Sequence, residues 1–137
     1  MTEHLPIFVY GTLKRGEVRE RMWPHAPTDV REATLQAALF DLGPYPAITS
    51  GDDEVAGELW YVAAKHREAT LAALDEIECY GQGGVDLYVR RVVTCRDESG
   101  REHSAWTYFY TNEEALANRP RIAPDENGKC RWSATKG

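Results

Sequence analysis

Bulky apolar residues open the chain. Ile7, Phe8 and Val9 form a β-prone run that predicts a buried first strand, ending at the turn Tyr10-Gly11-Thr12. Residues 14–28, "KRGEVRERMWPHAPT", are polar, contain two prolines, and read as a short helix or loop across the surface with solvated charges. Residues 33–42, "ATLQAALFDL", predict a second strand, although their alanines leave a helix open. The abrupt stop at "GPYP" favours the strand. In 54–62, "EVAGELWYV", Val55, Gly57, Leu59 and Tyr61 alternate against Glu54, Ala56, Glu58 and Trp60, as a third strand requires, with Gly57 marking a bend or close approach. Residues 64–78 carry no Gly or Pro and are rich in Ala and Leu, which predicts a helix broken by the glycines of "CYGQGGVD". Two further strands, 87–96 and 102–111, flank the hairpin turn "DESG"; on the second, Trp106, Tyr108 and Tyr110 share a face. From Arg119 the tail is rich in Pro, Gly and charge, and either wraps the body or frays.

Five strands and one strong helix make an α+β domain, a small curled or closed sheet with the helix packed on it. The length of 137 residues suits one domain over 1–137, with a core at about 6–111 and a tail at 112–137. The net charge of -6 gives no drive toward nucleic acid or anionic membrane. No apolar run approaches the roughly 20 residues of a spanning helix, and the N-terminus lacks the pattern of a signal peptide. The expectation is a cytoplasmic protein. Cys79, Cys95 and Cys130 form no CxxC pair, and His4, His25, His66 and His103 have no metal-ligand spacing, so no metal is expected.

The predicted helix places its acids on different sides. At roughly 100° per residue, Leu71, Leu74 and Ile77 define an apolar arc, Glu76 points away, Asp75 lies at the margin, and Glu78 falls inside the arc. A carboxylate facing the core has its pKa raised toward neutrality, the condition for a proton shuttle; the alternative is a solvated acid at a frayed helix end. Glu58, on the face of Ala56 and Trp60, is the rival acid, read as exposed or paired with Arg90 or Arg91. Cys79 reads as a small apolar filler rather than a nucleophile. Around Gly11 two readings stand. Thr12 caps a following helix, or the amides of residues 11 to 13 form a nest for a carboxylate or a developing oxyanion.

Six segments occur in order: "VYGTL" at 9–13, "GPYPA" at 43–47, "VAGELW" at 55–60, "LDEIE" at 74–78, "YVRRVV" at 88–93 and "AWTY" at 105–108. This succession resembles the γ-glutamylcyclotransferase-like family, in its γ-glutamylamine cyclotransferase and AIG2-like branch, over roughly residues 6–111. The resemblance implies a small mixed β-barrel with flanking helices and a cavity at its mouth. It implies that the backbone of Tyr10, Gly11, Thr12 and Leu13 holds the α-carboxylate end of a small-molecule γ-glutamyl substrate, with Glu78 as general acid/base. The implied reaction is a cyclotransfer that releases 5-oxoproline and needs no cofactor. The alternative is a module that binds a small metabolite in the same cavity without turnover. Lys14 and Arg15 either complement negative charge or cap the surface, and Tyr45, Trp106, Tyr108 and Tyr110 are candidates for the leaving-group side. The chain departs from the pattern at Cys79, where many relatives have Gly, in the longer loop "YGQGGVD", and in "APDENGKCRW", where many bacterial members carry an "SGDW"-like tail.

Overall fold

The computed structural model describes residues 5–81, 83, 84 and 86–133. The two ends of the expected 1–137 span, and Gln82 and Val85 of the glycine loop, lie outside the described residues. The strands are β1 (Ile7–Val9), β2 (Asp29–Asp41), β3 (Pro46–Tyr61), β4 (Tyr88–Asp97), β5 (Glu102–Tyr110) and β6 (Lys129–Cys130), and one helix, α1 (Ala64–Ile77), stands between β3 and β4. Short 3-10 turns occupy Glu20–Met22 and Glu113–Leu116. The sheet order is β1-β5-β4-β2-β3-β6, and an additional β1–β3 pairing closes the first five strands into a ring. Closure removes the exposed edges that an open sheet of this size would present.

Two strands begin before their predicted starts, β2 at Asp29 instead of 33 and β3 earlier still. β3 begins at Pro46, eight residues before the predicted start, because Pro46–Asp53 zip against Ala37–Asp41 across a shift in register between Ala37 and Ala38. The proline needs no ladder donor at the first position of a strand, so its presence masked that start. The described part of the tail, to Ser133, wraps rather than frays. β6 runs parallel to β3, pairing Glu54 with Lys129 and Val55 with Cys130. Trp132, fully buried, donates its indole N–H to Asp41 Oδ1 at 3.1 Å. Leu116, Cys130 and Trp132 from the expected tail are therefore core residues.

Alternation along each strand separates two cores. Phe8, Tyr10, Leu35, Leu39, Val55 and Leu59 meet Cys95, Ala105 and Trp132 in one cluster. Ile7, Val9 and Trp60, from the opposite faces of β1 and β3, join Leu13, Trp23, Leu74, Tyr88 and Tyr108 in a second layer beneath α1. Gly57 permits the seam: a Cβ there would stand 2.4 Å from the Val9 carbonyl oxygen and 2.6 Å from Phe8 Cζ. Only a residue without a Cβ lets β1 lie this close on β3.

Asp75, at the margin of the helix's apolar arc, fastens α1 to the barrel. It accepts two hydrogen bonds from Arg90, at 2.8 and 3.2 Å, and one from the Tyr108 hydroxyl at 2.6 Å. The Arg90 guanidinium also lies 4.4 Å from the centroid of a Trp106 ring, so charge, stacking and hydrogen bonding hold one cation in place. No described helix is long and apolar enough to cross a membrane.

Candidate active site

The loop after β1 forms a turn, not a helix start. Lys14 N donates to the Gly11 carbonyl at 3.1 Å, and Arg19 N donates to the Thr12 carbonyl at 2.8 Å, so Thr12 caps no helix. Gly11 does not take a positive φ. Its need is close approach, since a Cβ would stand 2.6 Å from Pro46 Cγ and 2.7 Å from Pro46 Cδ. The segments "VYGTL" and "GPYPA", more than 30 residues apart, thus meet face to face.

A clamp of side chains fixes the far half of this turn. The Leu13 carbonyl accepts the Trp23 indole N–H at 2.9 Å, Trp23 stacks on Trp60 with ring centroids 4.2 Å apart, and the Trp60 N–H reaches Glu58 Oε1 at 3.0 Å. The same carboxylate accepts Arg15 N at 2.9 Å and Arg15 Nε at 3.2 Å. Glu58 is thus buried and paired, but with Arg15 rather than Arg90 or Arg91; three donors hold it as a structural acceptor. Lys14 does not face an anion site either. Its ammonium donates to the Trp132 carbonyl at 2.6 Å, tying the turn to the C-terminal segment. With carbonyls and cations drawn away, the amides of Gly11, Thr12 and Leu13 find no acceptor among the described residues. Buried amides without partners are available to an incoming anion.

The end of α1 explains where Glu78 stands. Cys79 N donates to the Glu76 carbonyl at 3.2 Å and Tyr80 N to the Asp75 carbonyl at 2.9 Å, the bond pair of a Schellman ending, with Cys79 in the left-handed region at φ 56°. This ending reverses the chain at the capping residue and keeps Glu78 against the barrel instead of frayed into solvent. A glycine at position 79 would adopt this backbone without strain. Cys79→Gly is accordingly expected to stabilise the chain by about 0.5–1 kcal/mol, the left-handed penalty less the entropy that glycine adds to the unfolded chain. A urea midpoint that rises at unchanged slope is the check; a fall would mean that the Cys79 side chain contributes more than its backbone loses.

Tyr10, Gly11, Thr12, Leu13 and Glu78 line one cavity of about 100 Å³, together with Arg19, Tyr45, Pro46, Tyr88 and Tyr108. Three phenols stay protonated. Burial pushes Tyr10, Tyr88 and Tyr108 well above the usual tyrosine value, each with a further push from the negative charge of Glu78. Each hydroxyl is also committed as a donor, Tyr10 to the Tyr108 carbonyl, Tyr88 to the Pro46 carbonyl and Tyr108 to Asp75, all at 2.6 Å. Glu78 differs. Burial raises its carboxyl from 4.5 to about 7, and Arg19 pulls weakly in the opposite direction. The cavity therefore holds an acid that exchanges its proton near neutrality, among phenols that keep theirs.

Of the four candidate aromatics, Tyr45 and Tyr108 reach the cavity, whereas Trp106 and Tyr110 pack in the layer beneath α1. Arg19 was missed at the sequence level, because nothing in "KRGEVRERMW" separates it from its solvated neighbours. Tyr88 and Pro46 were missed as lining residues for a related reason, since only the closed barrel brings them beside the first turn. Among the described residues, no group of three or more His, Cys, Asp or Glu side chains is arranged to hold a metal ion.

Comparison with known proteins agrees with this architecture. The family model described as gamma-glutamyl cyclotransferase, AIG2-like, matches residues 7–133. The gamma-L-glutamyl-butirosin B gamma-glutamyl cyclotransferase of Niallia circulans is 36% identical over 115 residues, spanning 82% of this chain and 71% of that protein. Among solved structures, an AIG2-like protein from Mus musculus superposes with a TM-score of 0.64 at 20% identity, covering 97% of this chain and 98% of the other. YkqA from Bacillus subtilis superposes with a TM-score of 0.62 at 21% identity over 86% of this chain, which spans 37% of YkqA. The two structural likenesses carry the fold alone.

Proposed function

The chain belongs to the gamma-glutamyl cyclotransferase, AIG2-like family, and from that premise we propose that it splits a γ-glutamyl amide into 5-oxoproline and a free amine or amino acid. The observation that carries this reading is the presence of Glu78, raised to about 7, in one cavity with the unpartnered amides of Gly11, Thr12 and Leu13.

In this mechanism the substrate's α-carboxylate docks on the amides of residues 11 to 13, with Tyr10 forming the wall behind it. Glu78, as carboxylate, takes a proton from the α-ammonium. The freed amine attacks the γ-carbonyl carbon, the lactam C–N bond forms, and the original amide C–N bond breaks as Glu78 returns the proton to the departing nitrogen; the second proton shed by the attacking nitrogen passes to the released amine, which leaves as its ammonium form. Nucleophile and electrophile belong to one molecule, so holding the glutamyl chain folded supplies much of the catalysis; correct orientation is worth up to about 7–11 kcal/mol. A carboxyl that titrates near 7 serves both proton transfers. A raised pKa places the essential deprotonated form above neutrality, so kcat/KM is expected to rise with pH through about 7.

The test is incubation with a panel of γ-glutamyl amino acids and γ-glutamylamines, with mass detection of both products. 5-Oxoproline in equal amount to the released amine is expected. Free glutamate in its place would assign water, not the α-amine, as nucleophile. No turnover, combined with a thermal shift produced by 5-oxoproline, would make the cavity a binding site only, since a ligand stabilises the state it binds.

A further inference from the structure

The cavity offers two means of holding negative charge, and the glutamyl half of a substrate carries a single carboxylate. The first means is the set of amides at residues 11 to 13, on a buried turn. The second is Arg19. It is the one basic side chain among the described residues that line the cavity. Lys14, Arg15, Arg90 and Arg121 all spend their charge on carbonyls or carboxylates. The Arg19 guanidinium has no hydrogen bond or ion pair among the described residues, and its backbone is fixed on the same turn, with N donating to the Thr12 carbonyl at 2.8 Å and its carbonyl accepting Met22 N at 2.9 Å.

Depth orders the two. Tyr10, Thr12, Leu13, Tyr88 and Tyr108 are buried, whereas Arg19, Tyr45 and Glu78 are half-buried at the rim. A γ-glutamyl group that seats its carboxylate on the inner amides must present its amide bond near Glu78 and direct the leaving amine outward, past the rim. We propose that Arg19 is a specificity-determining residue that recognises a carboxylate on the leaving amine, so that γ-glutamyl amino acids are preferred over γ-glutamylamines lacking a negative charge. This rests on the cyclotransferase reading given above. An unpaired guanidinium suits the role because its fork of donors matches a carboxylate in two-point contact.

The experiment compares γ-glutamyl-alanine with γ-glutamyl-ethylamine, which share the acyl half and differ in the carboxylate of the leaving group. The wild-type chain is expected to prefer the alanine compound by at least about 10-fold in kcat/KM. In Arg19→Gln that preference is expected to collapse toward unity, with a loss of about 10- to 100-fold on the alanine compound seen mainly in KM, as fits an interaction made equally in ground and transition states. Arg19→Lys should retain part of it. Any influence of Arg19 on Glu78 acts on both substrates alike and cancels in the ratio. A ratio unchanged by Arg19→Gln, or an equal loss on both compounds, would overturn the assignment while leaving the cyclotransferase reading intact. A wild-type chain that forms 5-oxoproline from neither compound, nor from any other member of the γ-glutamyl panel, would overturn both.

Discussion

Glu78→Gln is expected to lower 5-oxoproline release by about 10²- to 10⁴-fold, the usual worth of a positioned general acid/base, while the barrel stays folded. Glutamine keeps the shape and hydrogen-bonding reach of the side chain but neither takes up nor releases a proton near neutral pH. The same substitution has a stability signature whose sign follows from linkage. The folded-state pKa of Glu78 is raised from 4.5 to about 7, so between those values the folded chain holds a proton that the unfolded chain has lost. The associated stability is fully present below about pH 4.5 and is lost as pH rises through about 7. Glu78→Gln should therefore be more stable than wild type at pH 8, by about 1–3 kcal/mol, with the gap closing toward pH 5. Urea titrations at both pH values, beside single-substrate kinetics, read the two effects. Full activity in the variant would remove Glu78 from the reaction; a stability gap that is equal at both pH values would mean that its carboxyl titrates as in water.

Gly57→Ala is expected to destabilise the chain by about 3 kcal/mol or more, the upper end of overpacking effects. The added methyl would meet the Val9 carbonyl oxygen at 2.4 Å, and that atom belongs to a strand held on both sides, by β3 and by β5. A flexible side chain could swing away; a backbone carbonyl in a strand paired with β3 cannot. Relief comes from lifting β1 off the seam, which also drags the turn at Tyr10–Leu13 out of the cavity wall. A fall in midpoint together with loss of 5-oxoproline release is the expected result, by equilibrium unfolding and activity on one preparation. A midpoint within about 0.5 kcal/mol of wild type, the range of an ordinary surface change, would contradict the tight β1–β3 approach.

Local signals carried far in this chain. The β-prone runs of 87–96 and 102–111, the uninterrupted Ala/Leu run of 64–78 and the strand-turn at 7–12 each express a short-range preference, and each element stands close to its expected place. The helical arc also predicts the environments of its acids: Glu76 is exposed, Asp75 sits at the margin in an ion pair with Arg90, and Glu78 faces inward. Periodicity sees such facts because residues a turn apart lie on one side whatever they pack against.

Other features had no local trace. The first half of β3 was hidden by Pro46 and by glycine and acids that are poor strand formers, and it exists because β2 supplies a long partner. Glu58 was legible as exposed or paired with Arg90 or Arg91, yet it is buried and its partner Arg15 lies 43 positions away, because the β1–β3 seam brings them together. Arg19 reads as one charge among several until the turn at Thr12 folds it over the cavity. What the linear chain determines, then, is which residues are candidates: a glycine turn after a buried strand and an acid on an apolar arc. Which of them share a cavity, which cations are left unpaired, and how far burial lifts Glu78 are decided by barrel closure, because each depends on distances between segments that no short-range preference constrains.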